Sequence, residues 1–231
     1  MPMRPSRPAS NGLDAQLRGA GWARRAPTEL LLPHPGVGEI RLVAPSLAAT
    51  PRAGRLVMLF DSQATLSAGA LARLGFKVED LLVMITPTRV IPCTDSLWAL
   101  EQALKGGHVG GVLAWLPPRL RVERLRRLQL AAHAHDGPAF VLCEMSAAPR
   151  PTAAPLRLAL HPDGADALAV RVLKRRGPPL DAPRQIMLPT VLSKVARQRT
   201  QAVVAQVETN ASARQRSRLR TSTFVDLATG R

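Results

Sequence analysis

Five short apolar runs, each followed by a stretch with helical character, constrain this chain more than any other feature. The runs are Leu30 to Leu32 behind Thr28 and Glu29, Arg55 to Phe60, Leu81 to Ile85, Val109 to Leu116, and Ala139 to Cys143. None alternates with polar residues, so each reads as a strand buried on both faces. The stretches between them read as helices. One covers Ile40 to Thr50, after the loop at 33–39 and despite Pro45. Another covers Leu66 to Leu74 and stops at Gly75. A third is capped by Thr94 or Asp95, runs through Leu104 and closes on Gly106-Gly107. A fourth, Leu120 to Ala134, is basic and amphipathic and follows the Pro117-Pro118 stop. Strands alternating with helices predict an α/β fold, a mostly parallel sheet flanked by helices with right-handed crossovers.

After Pro149 the pattern changes. Pro155 to Leu160 alternates as a half-buried strand, His161 to Gly164 is a turn, and Leu168 to Leu173 is the antiparallel mate. Lys174 to Pro179 is expected to end the folded part. Residues 1–11, rich in Pro, Arg and Ser, are expected to be disordered, and Leu13, Leu17 and Trp22 to line a short helical face. These limits give a basic N-terminus (1–11), one domain (12–179) and a basic, partly helical tail (180–231). In the tail, Val191, Leu192, Val195, Ala202, Val203 and Val207 form a sparse apolar stripe suited to docking on a partner. Arg214, Arg216, Arg218 and Arg220 fall at every second position, which is no helical face.

Charge narrows the partners. Thirty-two Lys and Arg against 16 Asp and Glu leave a net charge of +16, a field that suits nucleic acid or an acidic protein. Aromatics are 3% with no tyrosine, which argues against readout of single strands by base stacking. Cys93 and Cys143 make no disulfide framework and fit a reducing cytosol. The N-terminus has no apolar core of a secretory signal, and no apolar run reaches the roughly 18 residues of a membrane span.

The stretch LLPHPGVGEI reads as a phosphate-binding loop with its chemistry removed. A working loop is G-x-x-x-x-G-K-[ST], whose backbone N–H groups and lysine cradle phosphates while the hydroxyl holds Mg²⁺. Gly38 takes the second glycine position and Gly36 lies within the loop. Pro33 stands for the first glycine, Glu39 for the lysine and Ile40 for the hydroxyl residue. A carboxylate beside a triphosphate is repelled by ~1 kcal/mol per charge pair in water and ~4 in a partly screened site. Other candidates are weaker. His133 and His135, with Asp136, do not share a helix face and read as a helix end facing solvent rather than a metal site. Ser46, Ser62 and Ser67 lack a nucleophile turn. Arg119, Arg121, Arg124, Arg126 and Arg127 lie opposite the stripe Leu120, Leu125, Leu128, Ala131, as a charged face open to DNA phosphates or an acidic partner. Lys174, Arg175 and Arg176 are a further candidate contact.

Several of these segments together resemble the RecA/KaiC-type core. GLDAQLRGAGWARRAPTELLLPHPGVGE is similar to its approach and phosphate loop, FDSQATLSAGALARLGFKVEDLLVMIT to its second strand and helix, LWALEQALKGGHVGGVLAWL to the helix and strand bearing its Walker B acid, and PLRLALHPDGADALAVRVLKRRGPP to its closing hairpin. More narrowly, TELLLPHPGVGEIRLVAPSLA with LWALEQAL, GVLAWLPP and LRRLQLAA resembles the ImuA family, RecA-like accessory proteins of bacterial translesion synthesis filed beside the SulA division inhibitors. The resemblance covers about residues 12–179. It places Gln63 where the catalytic glutamate stands and Trp115 where the Walker B aspartate stands. Glutamine is no general base, and indole organises no Mg²⁺. The resemblance therefore implies a cytoplasmic bacterial protein of the SOS response, with no cofactor and no catalysis. Its partners would be an ImuB-like, Y-family-related protein, an error-prone polymerase α-subunit, DNA, RecA and further copies of itself. A SulA-like division inhibitor and a DNA-dependent ATPase are the rival readings.

Overall fold

The computed structural model describes residues 22–50, 54–63, 65–86, 93–117, 120–178, 180 and 182–191. In chain order its elements are β1 (Pro27–Leu32), α1 (Glu39–Ala48), β2 (Leu56–Phe60), α2 (Ala68–Arg73), β3 (Leu81–Met84), α3 (Cys93–Lys105), β4 (Val109–Trp115), α4 (Val122–His133), β5 (Ala139–Glu144), β6 (Leu156–Pro162), β7 (Ala167–Lys174) and β8 (Arg184–Met187). The strands form one sheet in the order β3-β2-β4-β5-β1-β6-β7-β8. Pairing is parallel from β3 through β6, and β7 runs antiparallel to both its neighbours.

Period-2 geometry divides the core between the two faces. Val57 and Leu59 of β2 point into one cluster with Leu42, Val43 and Leu47 of α1. Met58 and Phe60 point into the other, with Leu97, Leu100 and Leu104 of α3 and Leu128 and Ala131 of α4. Every residue of β1 and of β4 is buried, in β1 the polar Thr28 and Glu29 as well as Leu30 to Leu32. Pro45 lacks an N–H and removes one hydrogen bond from α1, yet the helix continues to Ala48 because its apolar face is held in the core.

Several expectations need correction, among them the half-buried strand at 155–160: β6 is buried on both faces from Leu156 through Leu160. The run at Leu81 is not buried on both faces: β3 is the sheet edge, with Leu82 40% and Val83 43% exposed. Helix α3 starts at Cys93, so Thr94 and Asp95 lie in its first turn rather than at its cap. His161 and Pro162 belong to β6, and the hairpin turn follows them. The fold does not end at Pro179, because β8 adds an eighth strand and buries Ile186. Trp22 is not helical; it packs edge-on against Phe140 at a ring-centroid distance of 4.9 Å. Leu13, Leu17 and residues 1–11 lie outside the described residues.

His135 is also not at the surface. It is 3% exposed, whereas His133 faces solvent. The crowding behind it is severe: a Cβ on Gly137 would sit 1.7 Å from the Gly110 carbonyl oxygen and 3.0 Å from His135 Nε2. Burial lowers the His135 pKa, opposed by Asp136 and assisted by Arg55. The folded protein thus resists a proton that the unfolded chain accepts. Stability is complete above the unfolded-state value near 6.5 and falls as pH drops from there toward the lowered folded value. Urea midpoints between about pH 7 and 5 should fall in the native chain, with the His135→Asn variant showing a shallower fall. Equal slopes would refute this.

Candidate functional site

The loop Pro33 to Gly38 lies at the carboxyl end of β1, between strands β5 and β6, and leads directly into α1. Gly36 and Gly38 both have left-handed backbone, at φ 86° and 113°. This turns two N–H groups toward one point, which the Glu39 carboxylate occupies. Gly36 donates to Oε1 at 2.9 Å and Gly38 to Oε2 at 3.0 Å. Glu39 is 1% exposed. Inward-facing N–H groups at a helix N-terminus are the feature by which such loops hold an oxyanion. Here the chain's own carboxylate fills the cradle.

A strap seals it. Leu188, just after β8, lies so close to Gly38 that a Cβ there would meet Leu188 Cδ1 at 2.6 Å. Arg41, in the first turn of α1, holds the strap down. Its Nε donates to the Pro189 carbonyl at 2.8 Å and its Nη1 to the Ala165 carbonyl at 3.0 Å, and it forms an ion pair with Asp166. Leu188 N–H donates to the Asp166 carbonyl at 2.8 Å, and Arg73 Nη1 donates to the Val191 carbonyl at 2.6 Å. Val191, the last described residue, is irregular and anchored through its carbonyl. Leu192, Val195, Ala202, Val203 and Val207 lie outside the described residues.

The other residues that the resemblance assigns to a nucleotide site lie at the same end of the sheet. Pro33 is exposed, and Ile40 packs its side chain against the core. Trp115, the last residue of β4, is 3% exposed and shares the apolar cluster of Leu32 and Leu42. Gln63 is exposed and reaches the Asp61 carbonyl of its own turn at 3.5 Å. Asp61, which sequence reasoning passed over, adopts φ 51° and accepts the Thr86 N–H at 2.6 Å. It ties the ends of β2 and β3 together.

The basic candidates separate. Arg127 is not a free outer-face charge: it pairs with the buried carboxylate of Glu101 at 2.8 Å and joins α4 to α3. Arg121 and Arg126 are exposed, and Arg124 is half-buried. Lys174 donates to the Thr152 carbonyl at 2.7 Å, Arg175 to the Pro178 carbonyl at 2.6 Å, and Arg176 is exposed. Arg119, Arg214, Arg216, Arg218 and Arg220 lie outside the described residues.

Sequence reasoning missed a buried ion pair. Glu29 of β1 and Arg157 of β6 are 1% and 5% exposed, and Arg157 Nη2 donates to Glu29 Oε1 at 3.1 Å. The approach of Nε to Oε2, 3.0 Å, is a charge contact rather than an aligned hydrogen bond. The other Arg157 donors go to the carbonyls of Ala147, Ala148 and Arg150. Burial and the neighbouring Glu29 push the Cys143 thiol up to about 12, so this half-buried cysteine stays protonated at neutral pH. The available signal was a charge inside an apolar strand, in TELLL and in LRLAL.

Among the described residues no three His, Cys, Asp or Glu side chains gather as metal ligands, and no helix is long and apolar enough to cross a membrane. No protein-family model matches the chain, and no curated protein matches it.

Proposed function

We propose that this chain is a non-catalytic RecA-like accessory protein, an adaptor that ties an ImuB-like protein and its error-prone polymerase to damaged DNA in the bacterial cytoplasm. Support comes from the mostly parallel sheet, a glycine-bearing loop after β1 and the closing β6–β7 hairpin, set beside the motif resemblance. The observation that carries the non-catalytic part is the Glu39 carboxylate seated on the Gly36 and Gly38 N–H groups. A triphosphate would have to displace it, and would then meet neither a loop lysine, a hydroxyl at Ile40, a base at Gln63 nor a carboxylate at Trp115.

Mg-ATP turnover should accordingly stay at the no-enzyme control. Phosphate release above that control, abolished by Gly38→Asp, would overturn the reading.

DNA contact in this reading rests on charge, through the exposed Arg121 and Arg126 and the Arg-rich tail. Binding by the full chain should be independent of base sequence and fall steeply with salt, log K against log salt having a slope of about −0.9 per phosphate contacted. Arg121→Ala with Arg126→Ala should reduce that slope by one to two contacts. A slope near zero would leave the positive charge to a protein partner, and failure to capture a purified ImuB-like protein would remove the adaptor role itself.

A further inference from the structure

We propose that Glu39 is a built-in ligand: an autoinhibitory contact that plugs an otherwise competent oxyanion cradle and holds the loop in its occupied shape without any external anion. The inference goes beyond the adaptor reading and depends only on the loop geometry.

Three observations carry it. First, the two N–H groups converge because Gly36 and Gly38 adopt left-handed backbone, which other L residues rarely adopt. Such a conformation points donors at a ligand. Second, both carboxylate oxygens are used, one per donor, at 2.9 and 3.0 Å, as two oxygens of a phosphate or sulfate would be. Third, the occupant is sealed. Glu39 is 1% exposed, Leu188 packs on Gly38, and the Arg41 guanidinium spends its donors on Pro189, Ala165 and Asp166. A free anion in the cradle would be lost to solvent by dissociation. A carboxylate attached one residue from the second donor cannot leave, so no nucleotide is needed to order the loop or the strap over it.

The test removes the tethered anion and supplies a free one. In the full-length Glu39→Ala variant, amide exchange at residues 36–39 should accelerate and the melting temperature should fall. Inorganic phosphate or sulfate at about ten times its Kd should then restore the loop amides and raise the melting temperature by about 3–6 °C over chloride at equal ionic strength. The native protein should show neither response. Glu39→Gln serves where the alanine variant does not fold: it keeps shape and one acceptor, so protection should drop at one of the two glycine amides. The proposal is overturned if Glu39→Ala leaves loop exchange unchanged, if neither oxyanion restores it, if the native loop binds phosphate as the variant does, or if Glu39→Gln matches the native protein. Loss of the proposal in this way leaves DNA binding and partner capture as separate outcomes.

Discussion

Arg157→Met should lower the unfolding free energy by about 3–5 kcal/mol, the cost of leaving a buried charge without its partner. Arg157 is 5% exposed, and its donors serve Glu29 and the carbonyls of Ala147, Ala148 and Arg150. Its removal strands a carboxylate in the centre of the sheet and frees the short helical turn Met145–Ala147 that follows β5. At roughly 2–4 °C per kcal/mol for a chain of this size, the melting temperature should drop by about 6–20 °C. Glu29→Met should cost a comparable amount, because it leaves the guanidinium unpaired. The double variant should be more stable than the sum of the two losses predicts, since no charge is left buried; the coupling measures the pair. It will not return fully to the native level, because the three carbonyls still lack their donors. Chemical denaturation of the four proteins decides the matter. A loss below about 1 kcal/mol for Arg157→Met, the level of an exposed pair, would show that the pair is solvated and not part of the core.

The same pair shows where the sequence is hard to read. An unbroken run such as Leu30 to Leu32 states its burial plainly, and β1, β2, β4 and β5 follow from such runs. A charge inside a run states nothing until its partner is known, and Glu29 and Arg157 stand 128 positions apart. Edge status is equally silent. Leu81 to Met84 looks like its neighbours because local composition does not record that, among the described residues, β3 has a strand on one side alone. In the candidate site the substitutions themselves were legible. Glu39 and Ile40 stand where a phosphate loop carries lysine and a hydroxyl residue, and that is legible from the sequence alone. That the Glu39 side chain folds back onto Gly36 and Gly38 was not, because it depends on two left-handed glycines and on a strap contributed by residues 188–191. His135 is a similar case: the segment was expected to face solvent, and the burial of His135 depends on the close approach of Gly110 in β4 to Gly137.

The C-terminal limit of the fold has the second large consequence. By its sequence, RQIM offers one inward apolar residue and no flanking pattern, which is why the folded part seemed to end at Lys174 to Pro179. In the structure β8 pairs with β7 from Ala167–Met187 to Val170–Arg184, and Ile186 and Leu188 are 2% and 6% exposed. A chain ending after Pro179 should therefore be strongly destabilised. It forfeits about 1.5–3 kcal/mol for each of the two buried side chains, bares the β7 edge and uncovers Gly38. It also takes from Arg41 its Pro189 acceptor and from Arg73 its Val191 acceptor. A drop of about 6–24 °C in melting temperature, or insolubility through the bared edge, is expected. A chain ending after Val191 keeps all of these contacts and should melt with the full-length protein. Side-by-side melting of the two truncations checks this. If the shorter chain melts with the native protein, β8 and the strap contribute nothing to the core, and the sealing of the Glu39 cradle by Leu188 fails with them. If the longer chain also loses stability, residues 192–231 take part in the fold, and their separate role as a DNA or partner segment has to be given up.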